Sequence, residues 1–501
     1  MPEAKKEDLT RFVLKNTLLS FIALFGGAVV NYFFRRLMIG HFGTEDYGLF
    51  YAVLSLVSTF IGFRYLGMGT AVVHDITTAR VNGDWKTLGR TFGTFSILSF
   101  AMFGILSAIL VVSGRWSSDH YFQDPRAYTI LLVLVAAHLL STMETNIQGL
   151  LQGLRILAPI SWLTIFRSIM LIIIFWATIN QGITSGAYAY LITFAINVVL
   201  YVVLAFKYAR LAIRHMFVFD WSAFKRLFAF SMKMNVGTLS GIVMGSFGTL
   251  CLTWFKTLTD VAMFNVAQPI ADMIRFIPKA ISNIVFPLSA EMAKTNPEKF
   301  ATGIVKLHKY TLIVILPICL GLMFYSESIV KTLFNADVAF AAKALWVLGI
   351  GQICSAFSGP NLWIIAGFNK PEKFALYSVG GAAVMAIATV ALVPSYGIVG
   401  AAWGDVIGEA VTLVFSFYGV KKLLSVSFPW SAWLRTILCG AVLYACMSWL
   451  SSLLHFGVVL TAIAGFGGAC VAYAVCVFLL RIISFTEIRQ LLYSGKNKRV
   501  A

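Results

Sequence analysis

Fourteen apolar stretches, each about 20 residues or longer, follow one another along the chain with short polar breaks between them. They are read near 13–34, 47–72, 91–113, 128–151, 158–179, 184–206, 228–253, 261–288, 304–325, 341–366, 374–393, 398–418, 433–451 and 457–480. About 20 residues of helix cross the hydrocarbon core of a bilayer. Lipid offers no water to unpaired peptide groups, so a lipid-exposed stretch of this kind is held to helix. The expected fold is therefore an all-α membrane protein with 14 transmembrane helices. Composition agrees, with 59% hydrophobic and 12% charged residues in 501. The formal net charge of +18 does not call for nucleic acid, because cytoplasmic loops of membrane proteins are enriched in Lys and Arg. The seven cysteines form no Cys-x-x-Cys pair and have no histidine cluster beside them. Neither a metal site, nor a disulfide, nor any other cofactor is expected. The first apolar run is too long for a cleavable signal peptide.

Loop charge sets the expected orientation. Lys and Arg crowd one set of loops, as at Arg80, Lys86 and Arg90, at Lys207, Arg210, Arg214, Lys225 and Arg226, and at Lys421, Lys422 and Arg435. The alternate loops are sparse, with Arg35, Arg36, Arg115, Arg126, Lys256, Lys331 and Lys343. The positive-inside rule then puts both termini in the cytoplasm. A faint repeat accompanies this pattern. Thr44-Glu45-Asp46 opens the second segment and Leu258-Thr259-Asp260 the eighth, while Gly153 closes the fourth and Gly367 the tenth, each at an offset of 214. Two six-helix lobes are expected, 1–215 and 216–425, followed by two further helices and a tail over 426–501.

One segment breaks the apolar rule. Residues 261–290 carry Asp272, Arg275 and Lys279 inside a span. On a helix these three fall within about 60° of one another. Asn265, Gln268 and Asn283 lie on or beside the same face, a stripe about 27 Å long. Charge at such depth costs several kcal/mol unless it meets protein or water, so the stripe reads as the wall of a hydrated, net positive cavity. The plainer alternative is an internal Asp272–Arg275 bridge with a snorkelling Lys279. Pro269, Pro278 and Pro287 predict bends whose freed carbonyls need partners.

Other charges fall in apolar segments. Arg64 late in the second segment either faces the stripe or snorkels to the surface. Glu144 and Arg167 should share a membrane depth and form a structural ion pair between the fourth and fifth segments. Lys233 lines the cavity or reaches water. Asp405 and Glu409, spaced i, i+4, share a face of the twelfth segment. Two such carboxylates suit a proton or sodium ion, or else a bridge to a cation such as Lys233.

Several short motifs resemble those of one family. Phe42-Gly43 with Tyr47-Gly48, Gln148-Gly149 with Gln152-Gly153, and Pro287-Leu288-Ser289 are similar to segment ends in polysaccharide flippases. The run Leu392-Val393-Pro394-Ser395-Tyr396-Gly397-Ile398-Val399-Gly400-Ala401-Ala402 resembles that family's Leu-x-Pro-x-x-Gly-x-x-Gly-Ala-Ala turn. Such a turn bends tightly and lets the next helix pack closely. The resemblance is to the polysaccharide transporter branch of the multidrug/oligosaccharidyl-lipid/polysaccharide exporter superfamily. It implies a non-enzymatic flippase in the cell membrane that moves an isoprenoid-pyrophosphate-linked glycan from the cytoplasmic to the outer leaflet. Members often carry an acid late in the seventh helix, where this chain has Ser246-Phe247-Gly248.

The residues and the resemblance together give a set of expected roles. Arg275, Lys279 and Arg64, with Asp272, Gln268 and Asn265, would form the cationic substrate path, because Arg forks onto phosphate and Lys serves it as a point charge. Asp405 and Glu409 would couple transport to protons or sodium. Membrane lipids would be the other partners, and the chain is expected to act as a monomer. A lipid II flippase differs only in headgroup, and a drug/cation antiporter of the same superfamily would want an acidic pocket. A membrane glycan polymerase or ligase would need a large external loop, and the longest stretches here, 113–127 and 326–340, are short. No Walker A pattern occurs.

Overall fold

A computed structural model describes residues 3–483 apart from 66, 217, 335–339 and 455–456, together with Glu487. The Lys233 side chain lies outside the described residues. The protein is an all-α, multi-pass membrane protein with no strand among the described residues. Ten helices there are long and apolar enough to span a bilayer. All seven cysteines are free.

The helices are α1 (Glu3–Gly62), α2 (Met68–Val81), α3 (Trp85–Trp116), α4 (Arg126–Gly153), α5 (Leu157–Thr178), α6 (Thr184–Ile213), α7 (Trp221–Phe255) and α8 (Leu258–Asp272). They continue as α9 (Phe276–Thr295), α10 (Pro297–Phe324), α11 (Ser326–Leu333), α12 (Ala341–Gly367), α13 (Pro371–Leu424), α14 (Trp430–Leu453) and α15 (Val458–Leu479). Polar side chains start several of them. Asp84 accepts from Thr87 N–H at 2.9 Å before α3, Asp220 accepts from Ser222 and Ala223 N–H before α7, and Asn296 accepts from Lys299 N–H before α10. Each satisfies a donor that a first helical turn leaves open.

Two expected loops are replaced by a single glycine. The helix α1 runs through the first expected break and turns only at Gly43, φ +82°. The helix α13 runs through the Pro394–Gly400 turn and departs from helix only at Gly397, φ +54°. Left-handed φ costs an L side chain energy that glycine escapes.

The chain gathers into two compact units. Unit 1 is Met1–Pro269 with Pro371–Gly404, and unit 2 is Ile270–Lys370 with Asp405–Ala501. Within unit 1, α2, α3, α4 and α6 share an apolar core of Met68, Ile76, Phe95, Leu150 and Tyr201. Within unit 2, α14 and α15 pack through Cys439, Leu443, Met447, Ala469 and Tyr473.

Contacts recur at the 214-residue offset. In unit 1, Gly153 of α4 lies against Val73 O and the Ile76 side chain of α2, so a Cβ there would collide. In unit 2, Gly367 of α12 lies in the same way against Phe286 O and Ser289 of α9. These contacts correspond to within one residue of the offset. In unit 1, Gly48 touches Leu258 and Ala262, and a Cβ there would meet the Leu258 carbonyl. Positions 48 and 262 are themselves 214 apart.

Candidate functional site

In unit 1 the site begins with a proline. Pro269 has no N–H, so the Asn265 carbonyl one turn earlier loses its helical partner. Arg35 and Tyr47, both on α1, take its place: Arg35 Nη1 donates to Asn265 O at 2.8 Å and the Tyr47 hydroxyl at 3.2 Å. The guanidinium also lies 4.1 Å from the Tyr51 ring centre, a cation–π distance. No carboxylate pairs with Arg35 among the described residues. Its charge is held by an oxygen, a hydroxyl and a ring, none of which neutralises it. The Asn265 side chain faces elsewhere, with its amide donating to Thr249 Oγ1 and Val261 O, both at 3.0 Å. Gln268 donates to Gly245 O at 3.2 Å. Arg35 was expected in an external loop, and the only sequence signal for its contact was Pro269.

Arg64 is also in unit 1 and is 7% exposed. It donates to Ile61 O at 2.9 Å and lies 4.2 Å from the Tyr65 ring centre. It too has no carboxylate partner among the described residues. Burial and these local bonds exclude free snorkelling to the surface. Arg167 differs, since its Nη1 pairs with Glu144 Oε1 at 3.0 Å. The buried Asn197 amide lies beside the same carboxylate.

Unit 2 gathers acids. Pro278 cannot donate to the Ile274 carbonyl, and the chain tightens to a 3-10 turn, Met273–Arg275, just before it. Arg275 ends that turn. Its Nε meets Asp272 Oδ1 at 3.1 Å and Gln352 Oε1 at 3.3 Å. Its Nη2 meets Asp405 Oδ2 at 3.4 Å and Glu409 Oε1 at 3.3 Å. Gln352 Nε2 reaches back to Asp272 at 3.5 Å, and Ser358 Oγ donates to the other Glu409 oxygen at 3.0 Å. Asp405 and Glu409 share a face of α13, one turn apart, as their spacing requires. One guanidinium therefore stands among three carboxylates, and the expected positive stripe becomes acid-rich at Arg275. The cation that bridges Asp405 and Glu409 is Arg275. Lys279, one turn on in α9, is exposed and has no ionic partner among the described residues.

Residues 13–293 match the model of a family described as polysaccharide biosynthesis protein. The chain belongs to that family. It is 23% identical over 491 residues to an uncharacterized membrane protein of Methanocaldococcus jannaschii, covering 94% of this chain and 96% of the relative. It is 20% identical over 208 residues to a probable low-salt glycan biosynthesis flippase of Haloferax volcanii, covering 41% of this chain and 44% of that one. Among solved structures, an inward closed conformation of the lipid II flippase MurJ shares its fold, with TM-score 0.71 and 14% identity over 95% of this chain and 99% of that one. Arg35, Arg64, Arg275 and Lys279 all fall inside the family match.

Proposed function

We propose that this protein is a flippase that moves an isoprenoid-pyrophosphate-linked oligosaccharide across the cell membrane by alternating access. The observation that carries the reading is that Arg35 and Arg64 in unit 1 meet carbonyls and rings but, among the described residues, no carboxylate. A pyrophosphate supplies the missing anion, and arginine grips it with two parallel bonds. Lys279 adds a free point charge. The family assignment and the flippase of Haloferax volcanii support the same substrate class. Two six-helix lobes, 1–215 and 216–425, would rock around the substrate, and the matching contacts at the 214-residue offset support that repeat. Splitting α1 at Gly43 and α13 at Gly397 turns the ten candidate spans into twelve, and adding α7 and the α8–α9 stretch supports fourteen, an even count that agrees with both termini in the cytoplasm. The acid-rich cluster of Asp272, Asp405 and Glu409 around Arg275 supports a second component, coupling to protons or sodium. Cation occupancy there would favour one lobe arrangement by its differential affinity.

The test is a lipid extract of the purified protein, analysed by mass spectrometry. Wild type should carry an isoprenoid-pyrophosphate glycan, and Arg35→Met should lose it. An extract holding bulk phospholipid alone, from a protein that also fails to flip such glycans in vesicles, overturns the reading. Coupling is tested separately. The Asp405→Asn/Glu409→Gln protein should bind substrate but ignore an imposed proton or sodium gradient.

A further inference from the structure

Unit 1 holds a cavity of about 430 Å³ where the second apolar segment breaks between α1 and α2. That size lies in the range of small-molecule sites, about 300–1,000 Å³. One wall is aromatic, formed by Tyr65 and Phe95, whose rings stack 5.9 Å apart at 17°. The facing wall is α4, which presents Gln148 and Gln152 one turn apart. No hydrogen-bond partner holds either amide among the described residues, while the Tyr65 hydroxyl lies beside Thr145 and Arg64. The floor is bare peptide at Gly67 and Gly69, with Thr70 beside them. Gly69 has a helical backbone, and a Cβ there would meet nothing within 4 Å. Neither φ nor packing demands glycine at 69; its effect is to leave the cavity open. No carboxylate, lysine or arginine lines the space.

Ring faces, unpartnered amides and open backbone, without formal charge, are the groups that recognise a neutral polyhydroxylated ring. The ring face packs on C–H groups, while each amide both donates and accepts to hydroxyls. We infer that this cavity is the subsite for a sugar of the lipid-linked headgroup, beside Arg64, which stacks on the Tyr65 ring at its wall. The inference deepens the flippase reading and rests on it.

The test uses the full chain in lipid nanodiscs and two probes, farnesyl pyrophosphate and the same lipid pyrophosphate bearing one hexose. Wild type should bind the hexose-bearing probe about tenfold tighter, the effect of one or two additional hydrogen bonds. Gln148→Ala/Gln152→Ala should reduce its affinity to that of the bare probe, whose own binding should not change. Gly69→Val, which puts a side chain into the cavity at a position where a Cβ has nothing within 4 Å, should do the same. If wild type binds both probes equally, or if the variants keep the full difference, the sugar subsite is wrong and the flippase reading stands. If wild type binds neither probe, both readings fall together.

Discussion

Arg275 in unit 2 and Arg35 in unit 1 are the same residue in opposite settings. Arg275 stands among Asp272, Asp405 and Glu409, with Gln352 between two of them. Arg35 stands among Tyr47, Tyr51 and a main-chain carbonyl. Both are anchored beside a proline-disturbed stretch of one apolar segment. The first cluster sets three carboxylates around one guanidinium; the second leaves a guanidinium with no carboxylate among the described residues. A guanidinium alone therefore does not mark a phosphate site; its neighbours decide.

Removing the arginine from the acid-rich cluster should have the largest effect. Arg275→Met strands carboxylates of which Asp405 and Glu409 are buried, and should cost about 3–5 kcal/mol. Thermal unfolding in detergent should show the loss, and Asp405→Asn/Glu409→Gln in the same chain should recover much of it. An unchanged melt for Arg275→Met would mean the acids do not depend on it.

Glu144→Gln comes next, because it leaves Arg167 without its acid in a half-buried setting. Folded yield should fall by an amount equivalent to about 3 kcal/mol at most, and Arg167→Met in the same chain should restore part. A double variant no better than the worse single one would dissolve the pair.

Arg35→Met strands no charge. Its loss should be confined to about 2 kcal/mol from the charged hydrogen bond and the Tyr51 contact, while bound isoprenoid glycan disappears. A collapse as large as that of Arg275→Met would erase the contrast between the two clusters.

The smallest effect is expected at Asp84, a carboxylate held by hydrogen bonds instead of by arginine. The Thr87 hydroxyl and N–H hold its carboxyl below the usual range. That contribution is present above the ordinary carboxylate value and is lost as pH falls through the depressed one. Asp84→Ala should therefore melt slightly below wild type at neutral pH and converge with it in acid. A gap that persists in acid would assign the effect to something other than ionisation.

Much of this could be read without a structure. The pairing of Glu144 with Arg167, the bridge from Asp272 to Arg275 and the shared face of Asp405 and Glu409 all follow from local periodicity and depth. Spacing on one helix, or symmetry about one turn, fixes such partners. Arg35 could not be found that way. It lies more than 200 residues from Asn265, and its place at the end of an apolar run looks like that of a loop residue. Gln352 carries no distinguishing pattern in a long apolar helix. The cavity beside Gln148 depends on the break between α1 and α2 lying against α4.

By itself the sequence determined that the chain crosses a membrane as helices, because apolar runs of that length leave the backbone no other way to pair its own groups. It also determined where carbonyls are freed, since each buried proline removes one known donor. Only the tertiary structure decided which side chain answers each freed carbonyl and which charge balances each arginine. Those choices depend on distances between segments far apart in the chain, which no local spacing encodes.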